Sequence, residues 1–204
     1  MMKRRRRWVW RALISLGLLA AVCVAIFFAL PAMLIAPPVV AKSDVIVHSA
    51  ISKHSAADKY VIGLYRQGMA RKIVCVSSQA SWDIYPSDYA RDSLISQGVP
   101  AEDVISLRMP IEPCDKAYLT RVADFMKANG WKSALFVTLP ESSRHIDNLA
   151  REVFEKEGGA IAVSYSPEDR DELTRDWWRA HWKTQRITGE AMGIALDQLY
   201  SECR

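Results

Sequence analysis

The sequence predicts an α/β fold: a mainly parallel, Rossmann-like sheet of five strands (or slightly more) flanked by helices, behind an N-terminal transmembrane helix. Three observations carry this reading. Short, β-rich apolar runs alternate with longer segments of helical period, the pattern of an α/β domain with right-handed crossovers. Several of those runs are apolar almost without interruption, which suits parallel strands buried on both faces. Finally, no residue from Ala12 to Ala41 carries a formal charge, whereas a bilayer core needs only about 20 apolar residues in a helix.

The first segment divides by charge. Residues 1–11 form a basic segment, with Lys3, Arg4, Arg5, Arg6, Arg7 and Arg11 interleaved with Trp8 and Trp10. Basic residues stay on the cytoplasmic side of a membrane, and Trp favours the headgroup level. Residues 12–34 then read as the anchor, 35–43 as a linker, and 44–204 as a periplasmic domain. The location implied is a bacterial inner membrane, crossed once. A cleaved signal peptide ending near Val39-Val40-Ala41 is the alternative, against which stands an apolar run longer than the usual h-region of about 7–15 residues. Pro31 marks the helix end or a kink, and Pro37-Pro38 an extended exit.

Charge is misleading when read over the whole chain. The net of +4 comes from 27 basic and 23 acidic residues; with six basic residues in the first 41, the remainder holds 21 against 23, or −2. A near-neutral domain makes nucleic acid a poor partner, and the basic cluster is explained by topology and by contact with the anionic lipid bilayer. Cys75, Cys114 and Cys203 would face an oxidising compartment, where two of the three could pair; the pairing is open. No cysteine or histidine spacing suggests a metal, and no GxGxxG, Walker loop, GxSxG or HExxH is present. No cofactor is expected.

The elements follow in order. Asp44–His48 is the first strand, and a helix from Ala56 or Ala57 to Gln67 carries the stripe Tyr60, Val61, Leu64 and Tyr65 before Gly68. Lys72–Val76 is the second strand, followed by a polar loop and a helix over Pro86–Gln97. Val104–Leu107 is the third strand, a proline-rigid loop follows, and Asp115–Asn129 is helical up to Gly130. Ala134–Leu139 is the fourth strand, with Ser142 or Ser143 expected to cap a helix reaching Glu157. Ile161–Tyr165 is the fifth strand, and Arg170–Tyr200 is helical with a break near Thr188-Gly189.

Ligands of open α/β sheets bind beyond the carboxyl ends of the strands. That rule selects His48 and Ser49, then Ser77, Ser78 and Gln79, then Met109 to Asp115, then Thr138, Ser142, Ser143 and Arg144, and last Tyr165 and Ser166. Arg144 stands at a helix start beside two hydroxyls, a setting that favours a phosphate or carboxylate. Its bland alternative is a surface pair with Glu141 or Asp147. Ser77, Ser78, Thr138, Ser142, Ser143 and Arg144 are therefore the candidate ligand-binding residues. His48 can serve as a base near neutral pH, with Asp115 and Glu190 as acidic partners; a structural histidine and a salt-bridged Glu190 are the competing readings. Trp177-Trp178 reads either as core or as a face toward membrane or ligand.

Taken together, these residues resemble the DUF218, or YdcF-like, family of bacterial proteins, over about Asp44 to Tyr200. The resemblance rests on the anchor, the alternating units, Thr138 and Arg144 around the fourth strand's exit, the Trp177-Trp178 pair, and Glu190 followed by Tyr200. There are departures. His48-Ser49-Ala50 stands where glycines are usual, Ser78 where the second loop has glycine, Glu141 or Ser142 where the family has histidine, and Gly193 where it has lysine. Around Glu112 to Thr120 the match is poor, though Asp115 and Thr120 keep some polar character. The membrane-anchored, SanA-like and ElyC-like members imply a role in envelope integrity and cell-wall building. The partner implied is an anionic envelope precursor, such as a phosphorylated lipid carrier, or the cell-wall machinery itself. A hydrolase or transferase on a phosphate-containing envelope substrate and a non-catalytic scaffold are the alternatives.

Overall fold

The computed structural model describes residues 2–49, 55–111 and 114–199. The chain opens with helix α1 (Met2–Leu34), whose Leu13–Leu34 stretch has 22 residues at a mean hydropathy of 2.8. At about 1.5 Å per residue this reaches roughly 33 Å, enough to cross a hydrocarbon core of about 30 Å. Pro31 lies inside α1 and does not end it. The turn beyond it is held by Ile35 N–H donating to the Pro31 carbonyl at 2.9 Å. Burial of Leu34 and a guanidinium on the last carbonyls add to that hold, and proline removes only one donor.

The five strands are β1 (Val45–His48), β2 (Lys72–Ser78), β3 (Val104–Met109), β4 (Ser133–Val137) and β5 (Ala160–Ser164). They form one parallel sheet in the order β3-β2-β1-β4-β5. Helices α2 (Ser55–Arg66) and α3 (Pro86–Ser96) cover one face, while α4 (Asp115–Ala128) and α5 (Ser143–Phe154) cover the other. Because strand side chains alternate, Val45 and Val47 join Phe136 and Leu119 on the α4–α5 side, whereas Ile46 joins Leu135 and Leu94 on the α2–α3 side. Gly68 and Gly130 follow α2 and α4 with φ of 72° and 71°, a left-handed exit that costs a residue without Cβ little.

Several boundaries differ from the sequence reading. β2 and β3 each run two residues further, because Ser77 and Ser78 register against Arg108 and Met109. β4 stops at Val137, although Thr138 N–H still bonds the Ser164 carbonyl at 3.1 Å. Neither Ser142 nor Ser143 caps α5 through its side chain; a 3-10 turn over Pro140–Ser142 leads in, and the Ser143 hydroxyl donates back to the Pro140 carbonyl at 2.6 Å. The expected break at Thr188-Gly189 is absent. The C-terminal segment instead consists of α6 (Pro167–Thr174), a 3-10 turn (Trp177–Arg179) and an unbroken α7 (His181–Leu199). The interruption sits at Asp176, with a φ of 48°, and at extended Ala180. One helical glycine costs only about 1 kcal/mol against alanine, and the Thr188 hydroxyl bonds the Thr184 carbonyl within the same helix.

A third, smaller core joins the anchor to the rest. Leu34, Leu173, Trp177 and Ile187 are buried together, with Phe27, Leu30, Ala191 and Ile194 packed around them. The Phe27 ring lies 4.6 Å from Trp177 and the Phe28 ring 5.2 Å from Trp178. The two tryptophans therefore divide the roles expected of the pair: Trp177 is 2% exposed and Trp178 is 45% exposed.

Candidate functional site

In a sheet of this order the chain reverses its direction of travel between β1 and β4, the switch point at whose carboxyl edge open α/β sheets have their ligand crevice. The anchor arrives at that same edge. Ala36 N–H bonds the Ser143 hydroxyl at 3.0 Å, and the Tyr165 hydroxyl donates to the Ala36 carbonyl at 2.8 Å. From there the linker runs along β5, with Val39 N–H on the Val163 carbonyl at 2.8 Å. It ends at the opposite edge, where the Asp44 carboxylate accepts the N–H groups of Lys132 and Ser133. The C-terminal end of α1 and the carboxyl edge of the sheet thus meet.

A polar cluster lines this edge. Glu141, from the 3-10 turn after β4, is buried and takes a bidentate pair from Arg186 of α7, at 2.5 and 2.9 Å. The geometry is the fork-to-fork form that makes arginine–carboxylate pairs strong. One turn further along α7, Glu190 approaches Ser142 and is hydrogen-bonded to it. Burial raises the Glu190 pKa, and the negative charges of Asp115 and Glu141 push the same way, against the pull of Ser142 and His145. Asp115, at the start of α4, lies 3.3 Å from His145 Nε2 at the start of α5. Four elements thereby bring Asp115, Glu141, Ser142, His145, Arg186 and Glu190 to one place. The set combines a carboxyl whose pKa burial raises with an imidazole in ion-pair range of a second carboxylate, the residue types that acid–base chemistry uses.

Of the residues singled out from sequence, Asp115, Ser142 and Glu190 meet in this cluster. Thr138 is buried at the exit of β4 beside it. Ser143 and Arg144 are engaged with the anchor: the Ser143 hydroxyl is bonded to both Pro140 and Ala36, and Arg144 Nη2 donates to the carbonyls of Ala32 and Ile35 at 3.3 and 3.0 Å. Those carbonyls belong to the negative end of α1. Ser77 is bonded to Ser87, hydroxyl to hydroxyl at 3.0 Å, and accepts its N–H at 2.9 Å, tying β2 to α3; Ser78 is half-buried beside it.

His48 lies elsewhere. It is 0% exposed, on the α2–α3 side of the sheet. Its Nε2 is 3.0 Å from Asp58 Oδ1, and Ser93 donates to Asp58 Oδ2 at 2.7 Å. A carboxylate only accepts, so Nε2 carries the proton, and Nδ1 has no hydrogen-bond partner among the described residues. Burial would raise the Asp58 pKa, but the bonds from His48 and Ser93 hold it below its ordinary value. Cys75 and Cys114 are buried free thiols rather than a disulfide, and burial pushes the Cys75 pKa up to about 12. Cys203 lies outside the described residues, as do Ala50, Glu112 and Tyr200.

Sequence reading missed Arg186, His145 and the Asp58–Ser93 support of His48. The one available signal was spacing: Arg186 and Glu190 share a helix face at i, i+4. Among the described residues, no group of three or more His, Cys, Asp or Glu is arranged to hold a metal ion. A hollow of about 510 Å³ opens at the amino edge, lined by Met126, Lys127, Trp131, Phe154 and Gly159, without the convergent polar groups of the carboxyl edge. Comparison with protein-family models, curated proteins and solved structures finds no match to this chain.

Proposed function

We propose that this is a membrane-anchored envelope-biogenesis protein of the DUF218, YdcF-like kind. In this reading it receives the polar head of a phosphorylated cell-wall or lipid-carrier precursor in the crevice between β1 and β4. One observation carries the reading: the carboxyl edge of the sheet is fastened to the C-terminal end of the anchor through Ser143, Arg144 and Tyr165. A site held at that height suits a head group whose tail stays in the bilayer. The basic residues before the span support a periplasmic position for the folded part. Retention of the anchor is supported by the third core, which cleavage after Ala41 would leave without Phe27, Leu30 and Leu34. Around the crevice, Arg186 supplies a guanidinium, Thr138 and Ser142 supply hydroxyls, and burial raises the pKa of Glu190.

The second reading, a hydrolase or transferase on a phosphate-containing substrate, is favoured by the raised pKa of Glu190 next to Ser142 and by the Asp115–His145 pair. Here Glu190 is the general acid and His145 the base.

The test extracts the full chain in native lipid discs and identifies co-purifying phosphorylated lipids by mass spectrometry. Enrichment in the wild type and its loss in Ser142→Ala are expected. Binding that survives in Glu190→Gln while turnover disappears would select the enzyme. If the wild type retains no phosphorylated lipid, the head-group reading fails, and a scaffold for cell-wall machinery takes its place. A reporter fused after Val45 that is active in the cytoplasm would overturn the topology.

A further inference from the structure

We infer that the carboxyl edge of the sheet, with the C-terminal helix, is itself seated on the outer leaflet of the bilayer that α1 crosses. The inference stands whether or not the crevice takes a ligand. It begins with depth. Phe27 and Phe28 lie six or seven residues inside the Leu34 end of the apolar span, about 9–10 Å at 1.5 Å per residue. If the hydrocarbon ends nearer Pro31, the depth is still about 5 Å. The rings stacked on those two side chains are Trp177 and Trp178. The 3-10 turn that carries them cannot stand clear of the membrane while α1 spans it. It must enter the boundary between headgroups and acyl chains, where tryptophan is favoured and where interfacial helices bury their apolar faces by about 5–10 Å.

The exposed side chains agree with this placement. Trp178 is 45%, Trp182 42%, Met192 64% and Leu196 45% exposed, all on the turn and helix that pack against α1. The rest of the carboxyl edge presents two more apolar tips: Trp82, 89% exposed in the β2–α3 loop, and Ile111, 76% exposed after β3. Isolated surface apolar residues need no explanation, but these stand on both flanks of the crevice, on the edge that faces the anchor's exit. The occupant is the leaflet already next to the anchor. A lipid surface under both flanks makes the crevice open onto the bilayer rather than onto bulk water.

The experiment uses the full chain in vesicles of phosphatidylethanolamine and phosphatidylglycerol, with acyl chains brominated near the headgroup to quench nearby tryptophan. Trp178→Phe keeps an aromatic contact with Phe28, and Trp131→Phe, at the amino edge, serves as the control. Removing Trp178 is expected to lower the quenched share of the emission, since a quenched emitter is lost. Removing Trp131 is expected to raise it. The inference is overturned if Trp178→Phe leaves the quenched share unchanged or raises it. It is equally overturned if Trp178 is unquenched and cross-links to a second copy, which would make the surface an interface between chains.

Discussion

Substitution of Arg186 by methionine isolates the pair that holds α7 over the crevice. Glu141 has a side-chain exposure of 4% and Arg186 of 29%, joined by two hydrogen bonds of 2.5 and 2.9 Å. Methionine keeps the stem packed but removes the fork, leaving a buried carboxylate without its counter-charge. Breaking a buried pair in this way costs about 3–5 kcal/mol. Because Arg186 is partly reached by water, we place the loss near the lower bound, about 3 kcal/mol. For a domain of this size each kcal/mol moves Tm by about 2–4 °C, so thermal unfolding of the full chain in detergent, followed by circular dichroism, should show a drop of about 6–12 °C. Glu141→Gln combined with Arg186→Met should recover at least half of it, since a buried neutral amide costs less than a buried charge. A single-variant loss below about 1 kcal/mol, the size of a solvated surface bridge, would refute the reasoning. So would a double variant no more stable than the single one.

Three further outcomes are expected. Burial lifts Glu190 above its ordinary 4.5, so the folded protein holds a proton that the unfolded chain has released, and stability falls as pH rises from about 4.5 through the raised value. Glu190→Gln should remove that decline and gain on the wild type toward neutral pH in Tm-against-pH scans; parallel curves would contradict this. Tyr165→Phe deletes the donor to the buried Ala36 carbonyl and should cost about 1–3 kcal/mol, with faster proteolysis of the 35–43 linker as the readout. Gly189→Ala meets no atom within 4 Å of an added Cβ and should stabilise α7 by about 0.5–1 kcal/mol. A loss of stability there would mean that a partner outside this chain packs on that face.

The elements were legible where local pattern and tertiary demand coincide. Val45–Val47, Ile73–Val76 and Ala134–Val137 are apolar runs too short for helices, and burial on both faces of a parallel sheet leaves them no other place. The C-terminal break was misplaced because Thr188-Gly189 has the composition of a breaker. What decides is the backbone at Asp176 and Ala180, whose turn sets Trp177 against the anchor. Asp115 and Ser142 could be proposed singly from helix starts and Glu190 from the resemblance, but their meeting could not. Glu141 and Arg186 are 45 positions apart, and the His48–Asp58 contact depends on the rotational phase of α2, which no motif records.

Arg144 shows most clearly how far local chemistry carries. A helix start with two hydroxyls and a guanidinium calls for negative charge, and negative charge does meet it. The source lies within the chain: the unpaired carbonyls of Ala32 and Ile35 at the end of α1, which carries the equivalent of about half an elementary charge. Sequence fixes the sign of the partner but not its origin, because the partner stands 109 and 112 positions away. With Ser143 on Ala36 N–H, Arg144 makes the end of the anchor part of the folded unit. The guanidinium that the local pattern offers to an anion is thereby engaged within the chain.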